Sequence, residues 1–266
     1  MTDQLNADVV SQYELETWTR CAEAYLSHFA DLTGETVQLL WDAARIRTGN
    51  KVLDLGCGPG HVAGAFTDLG AVVTGIDFSG TMIDIARQRY PGATFQEANA
   101  EDLPFDDAIF DAVASNFVVH HLARPQRVFS EIARVLKPGG YFSFVVWGPP
   151  EAQSSVGAFF GAVATHHDIA QLPHGPLFGA DESAYESPLT ANSFTDLQFE
   201  NHTILWKSDT VDPVLQAFLE WGNISALPQD IQQKIEATAR ENLESYKTAE
   251  GYTFPHEILL GSAKKL

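Results

Sequence analysis

VLDLGCGPGHVAG, residues 52–64, runs an apolar segment into an aspartate and then places glycines at every second position, Gly56, Gly58 and Gly60. Lys51–Leu55 has the length and apolarity of a buried strand. Val62, Ala65, Phe66 and Leu69 then repeat at helical spacing. A loop joining a first strand to a first helix lies at the carboxyl edge of an open sheet, where α/β proteins hold their ligands. Glycine at 56 and 58 admits positive φ and lets the backbone pass close to a ligand.

The alternation continues on both sides. Ala71–Ile76, Thr94–Glu97, Phe110–Ser115 and Tyr141–Trp147 read as strands. Ser79 is a good N-cap for a helix carrying Met82, Ile85 and Ala86. Pro125 opens a helix through Leu136, and KPGG at 137–140 is expected to stop it. Strands alternating with helices at this spacing predict βαβ units, a parallel sheet and right-handed crossovers. Residues 8–30 read as one helix, and Glu35–Ala44 as a second. Beyond Trp147, residues 150–190 offer two helical pieces at most. Residues 198–207 form a strand, helices follow near Val211–Glu220 and Gln229–Tyr246, and His256–Ala263 is a last strand of the same sheet.

Composition narrows the function. No apolar run reaches the roughly 18 residues of a membrane span, and the N-terminus lacks the basic and apolar regions of a secretory signal. Two cysteines, Cys21 and Cys57, make no disulfide framework, so a cytoplasmic setting is expected. The formal net charge of -19 repels phosphate backbones, which argues against nucleic acid as a partner.

The ligand can be read further. Asp77 ends the second strand, seventeen residues beyond Gly60. A carboxylate there can accept from both hydroxyls of a ribose. Nicotinamide dinucleotides call for G-x-G-x-x-G/A, with a pyrophosphate on the helix N-terminus. Counted from Gly56 the sixth position is His61, which fails; counted from Gly58, Ala63 matches but three residues too late for the tight turn. Alternating glycines after an Asp suit a nucleoside without phosphate.

VLDLGCGPG, GIDFS (75–79), NAEDLPFDDAIFDAV (99–113) and RVLKPGG (134–140), in this order and spacing, resemble the class I S-adenosylmethionine-dependent methyltransferases. Within these, the chain is similar to the ubiquinone/menaquinone C-methyltransferase-like small-molecule group. The resemblance implies an α/β, doubly wound, mostly parallel seven-stranded Rossmann-like sheet with a helical lid. Residues 1–48 would be N-terminal helices covering the cofactor, 49–148 the S-adenosylmethionine-binding core, and 149–266 the lid and substrate segments with the last strands. It further implies that Gly56, Cys57 and Gly58 lie against the methionine portion and that Asp77 binds the ribose diol. Phe78 and Met82 would flank the adenine, Asn99 and Ala100 meet its edge, and Asn116 and Phe117 line the methionine amino group. The family usually has Asp at position 99; Asn here keeps an acceptor oxygen. Trp18 and Tyr25 would close over the cofactor from the N-terminal helix.

A base is needed only if the methyl acceptor must lose a proton. His120 and His121, in SNFVVHHL, are the catalytic candidates; alternatively one packs and the other caps the following loop. His166, His167, Asp168 and His174 fit no usual zinc spacing, so no metal is expected. Phe159, Phe160, Phe178, Phe194, Trp206, Phe218, Trp221, Tyr246 and Tyr252 can wall an apolar pocket or form the lid's own core. The expected function is methyl transfer to a small, partly apolar molecule. A non-methylating protein of the same fold and a nicotinamide-dependent dehydrogenase are the alternatives.

Overall fold

Strand β1 (Lys51–Leu55) sits in the middle of the sheet, buried along its length after Lys51. The computed structural model describes residues 2–149, 152–167, 173–221, 224 and 227–266, with the side chains of 2–5 left aside. Ahead of β1 come helices α1 (Thr2–Arg20), α2 (Ala22–His28), α3 (Ala30–Gly34) and α4 (Val37–Ala43). After it the chain runs α5 (His61–Asp68), β2 (Val72–Asp77), α6 (Gly80–Arg89), β3 (Thr94–Glu97), β4 (Phe110–Asn116), α7 (Pro125–Val135) and β5 (Leu136–Trp147). The remainder is α8 (Ser154–His166), α9 (Ser183–Ala191), β6 (Phe194–Ser208), α10 (Asp212–Trp221), α11 (Gln229–Leu243), β7 (Lys247–Thr248) and β8 (Gly251–Lys265).

The strand order is β3-β2-β1-β4-β5-β8-β6, with the short β7 paired to β8. β1 is parallel to β2 on one side and to β4 on the other, so the order reverses between β1 and β4. β8 runs antiparallel to both β5 and β6. One apolar core fills each face: Phe66, Phe159 and Phe218 belong to one, Phe129, Phe142 and Phe144 to the other. β1 to β5, whose carboxyl ends face one edge, thus frame a crevice at the switch point.

Three boundaries differ from expectation. The helix read over 8–30 is a kinked run of α1, α2 and α3, turning at Cys21 and Phe29. Hydrogen bonds from Cys21 N–H to Thr17 O (2.9 Å) and Tyr25 N–H to Cys21 O (2.8 Å) carry the ladder across the first join. The apolar period therefore survives the kink and hides it. KPGG does not separate helix from strand: Leu136 is already extended and pairs with Phe110, and a register shift with Gly139 at φ +80 absorbs the glycines inside β5. β6 and β8 are each 15 residues, longer than read. Half of β6 faces outward, so its pattern weakens toward the ends.

Candidate active site

The carboxyl ends of β1 to β5 open into one cavity, and the glycine loop forms its rim. Gly56, Gly58 and Gly60 all have left-handed backbones, at φ +72, +50 and +87. At Gly56 a Cβ would lie 2.4 Å from Val118 Cγ2, so glycine is required for packing as well as for φ. At Gly58 a Cβ would meet nothing within 4 Å, because this face of the loop borders the cavity. Cys57, between them, turns away: its side chain is buried in the core and its N–H donates to Ile76 O over 2.8 Å. Burial pushes its thiol well above the usual range, and neither a nucleophile nor a cavity wall results.

Asp77 is fixed by backbone amides. Oδ2 accepts from Gly58 N–H at 3.0 Å and Oδ1 from Ser79 N–H at 2.9 Å, and the Phe78 amide adds its pull. Burial raises its pKa to about 6 against the pull of these amides. Phe78 and Met82 border the cavity next to it, Met82 at the N-terminal turn of α6 that Ser79 caps. Asn99 and Ala100 border it after β3; Asn99 Oδ1 also accepts from Glu101 N–H at 2.9 Å. A carboxylate with spare lone pairs, an apolar slot beside it and an open glycine rim fit a ribose, a flat base and an amino-acid tail.

At the end of β4, Asn116 borders the cavity, but its amide is engaged. Oδ1 accepts from Thr36 Oγ1 at 2.7 Å and Nδ2 donates to Thr33 O at 2.9 Å, tying β4 to α3 and α4. Phe117 takes φ +56, costly for a bulky residue, and lays its ring 4.1 Å from that of Trp147. From the N-terminal side, Trp18 and Tyr25 meet edge-on at 5.7 Å, both bordering the cavity. Tyr25 Oη pairs with Thr33 Oγ1 at 2.8 Å.

His120 and His121 form a short 3-10 turn just past β4, their rings 4.1 Å apart. His120 is 3 % exposed, borders the cavity, and neither ring nitrogen has a hydrogen-bond partner. Burial, with His121 adding to it, holds its pKa well below the usual range, so the ring is neutral. His121 Nδ1 lies 3.0 Å from Glu14 Oε1. The residues expected to bind the cofactor or act in catalysis therefore all border this cavity except Cys57.

Sequence reading missed three residues of the cavity wall. Glu14 joins the site from α1 across 107 positions. Phe29 and Trp147 wall the apolar end together with Phe218 and Trp221, whereas Phe159 and Phe194 are core. Asp54, one residue before Leu55 in the quoted stretch, is 1 % exposed with neither oxygen hydrogen-bonded. Burial, only partly offset by the nearby Ala63 amide, raises its pKa to about 7. The Asp ahead of the glycines was the visible signal for it.

Two other polar groups lie off the cavity. Ser155 Oγ, His256 and Gln153 form a buried chain, with 3.0 Å from Oγ to Nε2 and 3.0 Å from Nδ1 to Gln153 Oε1. Gln153 reaches the cavity wall, but Ser155 and His256 do not, and the chain serves to lock α8 onto β8. Of the His166, His167, Asp168 and His174 group, Asp168 lies outside the described residues. His166 Nε2 pairs with Thr238 Oγ1 at 2.8 Å, and His174 stacks on Phe178. Among the described residues no three His, Cys, Asp or Glu side chains cluster as metal ligands, and no helix is long and apolar enough to cross a membrane.

Comparison with known proteins places this geometry. The methyltransferase domain family matches residues 53–144. A demethylmenaquinone methyltransferase of Clavibacter sepedonicus is 40% identical over 109 residues, 38% of this chain and 44% of that protein. A malonyl-(acyl-carrier protein) O-methyltransferase of Erwinia billingiae is 31% identical over 170 residues, 59% of this chain and 67% of that protein. The crystal structure of the YcgJ protein from Bacillus subtilis shares the fold, with a TM-score of 0.59 at 23% identity over 87% of this chain and 98% of that one. The chain spans about half the length of the curated relatives it matches first, 44% and 55%.

Proposed function

Because the chain belongs to the class I S-adenosylmethionine-dependent methyltransferases, we propose that it transfers the methyl group of S-adenosylmethionine to a small, partly apolar molecule. The cofactor supplies an activated methyl on a sulfonium; the protein supplies orientation and a dry site. Gly56 and Gly58 would face the methionine portion, Asp77 the ribose diol, and Phe78, Met82, Asn99 and Ala100 the adenine. Trp18 and Tyr25 would close the near side. Asn116, its amide spent on Thr33 and Thr36, would shape the methionine end rather than bind it.

The observation that carries this reading is the continuity of one cavity. It is lined at once by Gly58 and Asp77, by His120 and His121, and by Phe29, Trp147 and Trp221. A nucleoside end and an acceptor end therefore share one space, as direct transfer demands. A wall of aromatic rings supports an apolar acceptor. The acidic surface supports a small acceptor over nucleic acid, and two free buried cysteines suit a cytoplasmic setting.

The test is calorimetry followed by turnover. S-adenosylhomocysteine should bind and NAD should not, and labelled methyl should pass from the cofactor to members of a panel of apolar acceptors. Tight binding of NAD without binding of the sulfonium or its product would sink the proposal.

A further inference from the structure

The turn after β4 and helix α1 meet in a linked set of side chains. His121 Nδ1–H donates to Glu14 Oε1 over 3.0 Å, and Trp18 Nε1–H donates to Glu14 Oε2 over 2.9 Å. Glu14 is 6 % exposed, so its carboxylate is held by these two donors away from bulk water. The Trp18 ring stands edge-on to His121 at 5.3 Å and fixes the imidazole plane. With Nδ1 carrying the proton toward Glu14, the lone pair of a neutral His121 lies on Nε2. His121, Glu14 and Trp18 all border the cavity that Asp77 and the aromatic wall share. Beside them His120 borders the cavity, buried and without a partner for either nitrogen.

We infer that His121, oriented by Glu14, takes the proton from an acidic hydroxyl of the acceptor, and that the acceptor is therefore a phenol or enol on a flat apolar body. This rests on the methyl-transfer reading above and names its acceptor class. The acceptor's O–H bond breaks and its proton passes to His121 Nε2. An oxygen lone pair forms the O–CH3 bond as the S–CH3 bond breaks, and that bond's electron pair remains on sulfur as a neutral thioether. The positive charge of the sulfonium thus reappears on the imidazolium, next to the Glu14 carboxylate that stabilises it. Glu14 is a positioning residue, since it touches His121 and not the acceptor.

4-Nitrophenol tests this, because its phenolate absorbs where the phenol does not. The protein is saturated with S-adenosylhomocysteine and buffered below the phenol's own ionisation midpoint. The phenolate band should appear on binding to the wild type. Glu14→Gln and His121→Asn should still bind both molecules but lose the band, whereas Glu14→Asp should restore part of it. Merely structural roles would change stability and leave the band in place. Absence of phenol binding, absence of the band in the wild type, or its persistence in His121→Asn overturns the proposal. Loss of S-adenosylhomocysteine affinity in either variant would assign the pair to the cofactor wall and overturn it as well. A wild type that binds no S-adenosylhomocysteine at all would overturn the underlying reading instead, so the two failures are distinct.

Discussion

Gly58 donates its amide hydrogen to Asp77 Oδ2 over 3.0 Å, so the glycine loop after β1 and the end of β2 are held to each other by the protein itself. The amides of Gly58, Ser79 and Phe78 hold the carboxylate in this frame, and its remaining acceptor capacity is left for a ligand. Asp77→Ala should therefore do two things. Affinity for S-adenosylhomocysteine should fall by about 2–4 kcal/mol, through the unpaired ribose hydroxyls. Amide exchange at Gly58 should also quicken without ligand, where the wild type is protected. Calorimetry and hydrogen exchange read the two effects. Unchanged affinity would remove Asp77 from the site.

The same carboxylate gives a pH dependence of binding. Burial holds its pKa near 6 in the free protein, and the ribose hydroxyls need the ionised form. As pH falls through about 6 a proton competes with the ligand, and the dissociation constant should rise by up to about tenfold per pH unit. Above pH 7 it should be flat. Asp77→Asn should bind weakly and without this slope. A wild-type profile flat from pH 5 to 8 would contradict the assignment.

Asp54 bears on stability instead. Its folded pKa, near 7, stands above the roughly 4 of an unfolded chain. Between these values the folded state holds the extra proton, so this residue's contribution falls as pH rises through the window and is least favourable above pH 7. Asp54→Asn should raise stability by about 1–3 kcal/mol at pH 8 and by much less at pH 4. Denaturant unfolding of both proteins at the two pH values checks it. An equal effect at both would mean that Asp54 stays ionised in the fold.

The glycines separate fold from binding. Gly56→Ala brings a Cβ within 2.4 Å of Val118 on a left-handed backbone, so it should lose stability by about 2–4 kcal/mol. Gly58→Ala keeps the backbone cost of about 1–2 kcal/mol but has room for the methyl, which then stands in the cavity. It should stay folded and lose affinity for S-adenosylhomocysteine. If the two variants reversed these behaviours, the placement of the loop would be wrong.

What the chain disclosed in advance follows from locality. Strands β1 to β5, the Ser79 cap and the glycine loop are encoded within a few residues each, and Gly56, Asp77, Asn99 and Asn116 inherit their places from strand ends. Glu14 could not be read in that way, because its role exists only once α1 folds back on the turn at His121. Phe29 and Trp147 carry no local mark that tells cavity wall from core. Cys57 shows the opposite error: its neighbours are at the cavity, but a loop of alternating left-handed glycines turns the intervening side chain into the core. The break at Cys21 stayed hidden because the helical ladder continues through it.

Helix α1 supplies Glu14, Trp18 and part of the cavity rim. Arg124 binds Asp8 on α1 and Glu101 on the core, and Thr19 pairs with the Ser79 cap at 3.1 Å. Opposite it, the Pro173–Ser187 segment brings Phe178 and Gly179 to the cavity. Gly175 is pressed against the turn that carries the histidines, since a Cβ there would lie 2.3 Å from Leu122 O. Both elements border the cavity, and a site that excludes water must open at each turnover. Hydrogen exchange over residues 6–20 and 173–182 should be fast without ligand and slow when S-adenosylhomocysteine and a phenol are bound, while β1 stays protected throughout. Arg124→Ala, which cuts the tie between Asp8 and Glu101, should quicken exchange in α1 and raise the ligand's dissociation rate without moving exchange in β1. Exchange in both elements that ignores ligand and variant alike would mean a permanently docked helix and another route into the site.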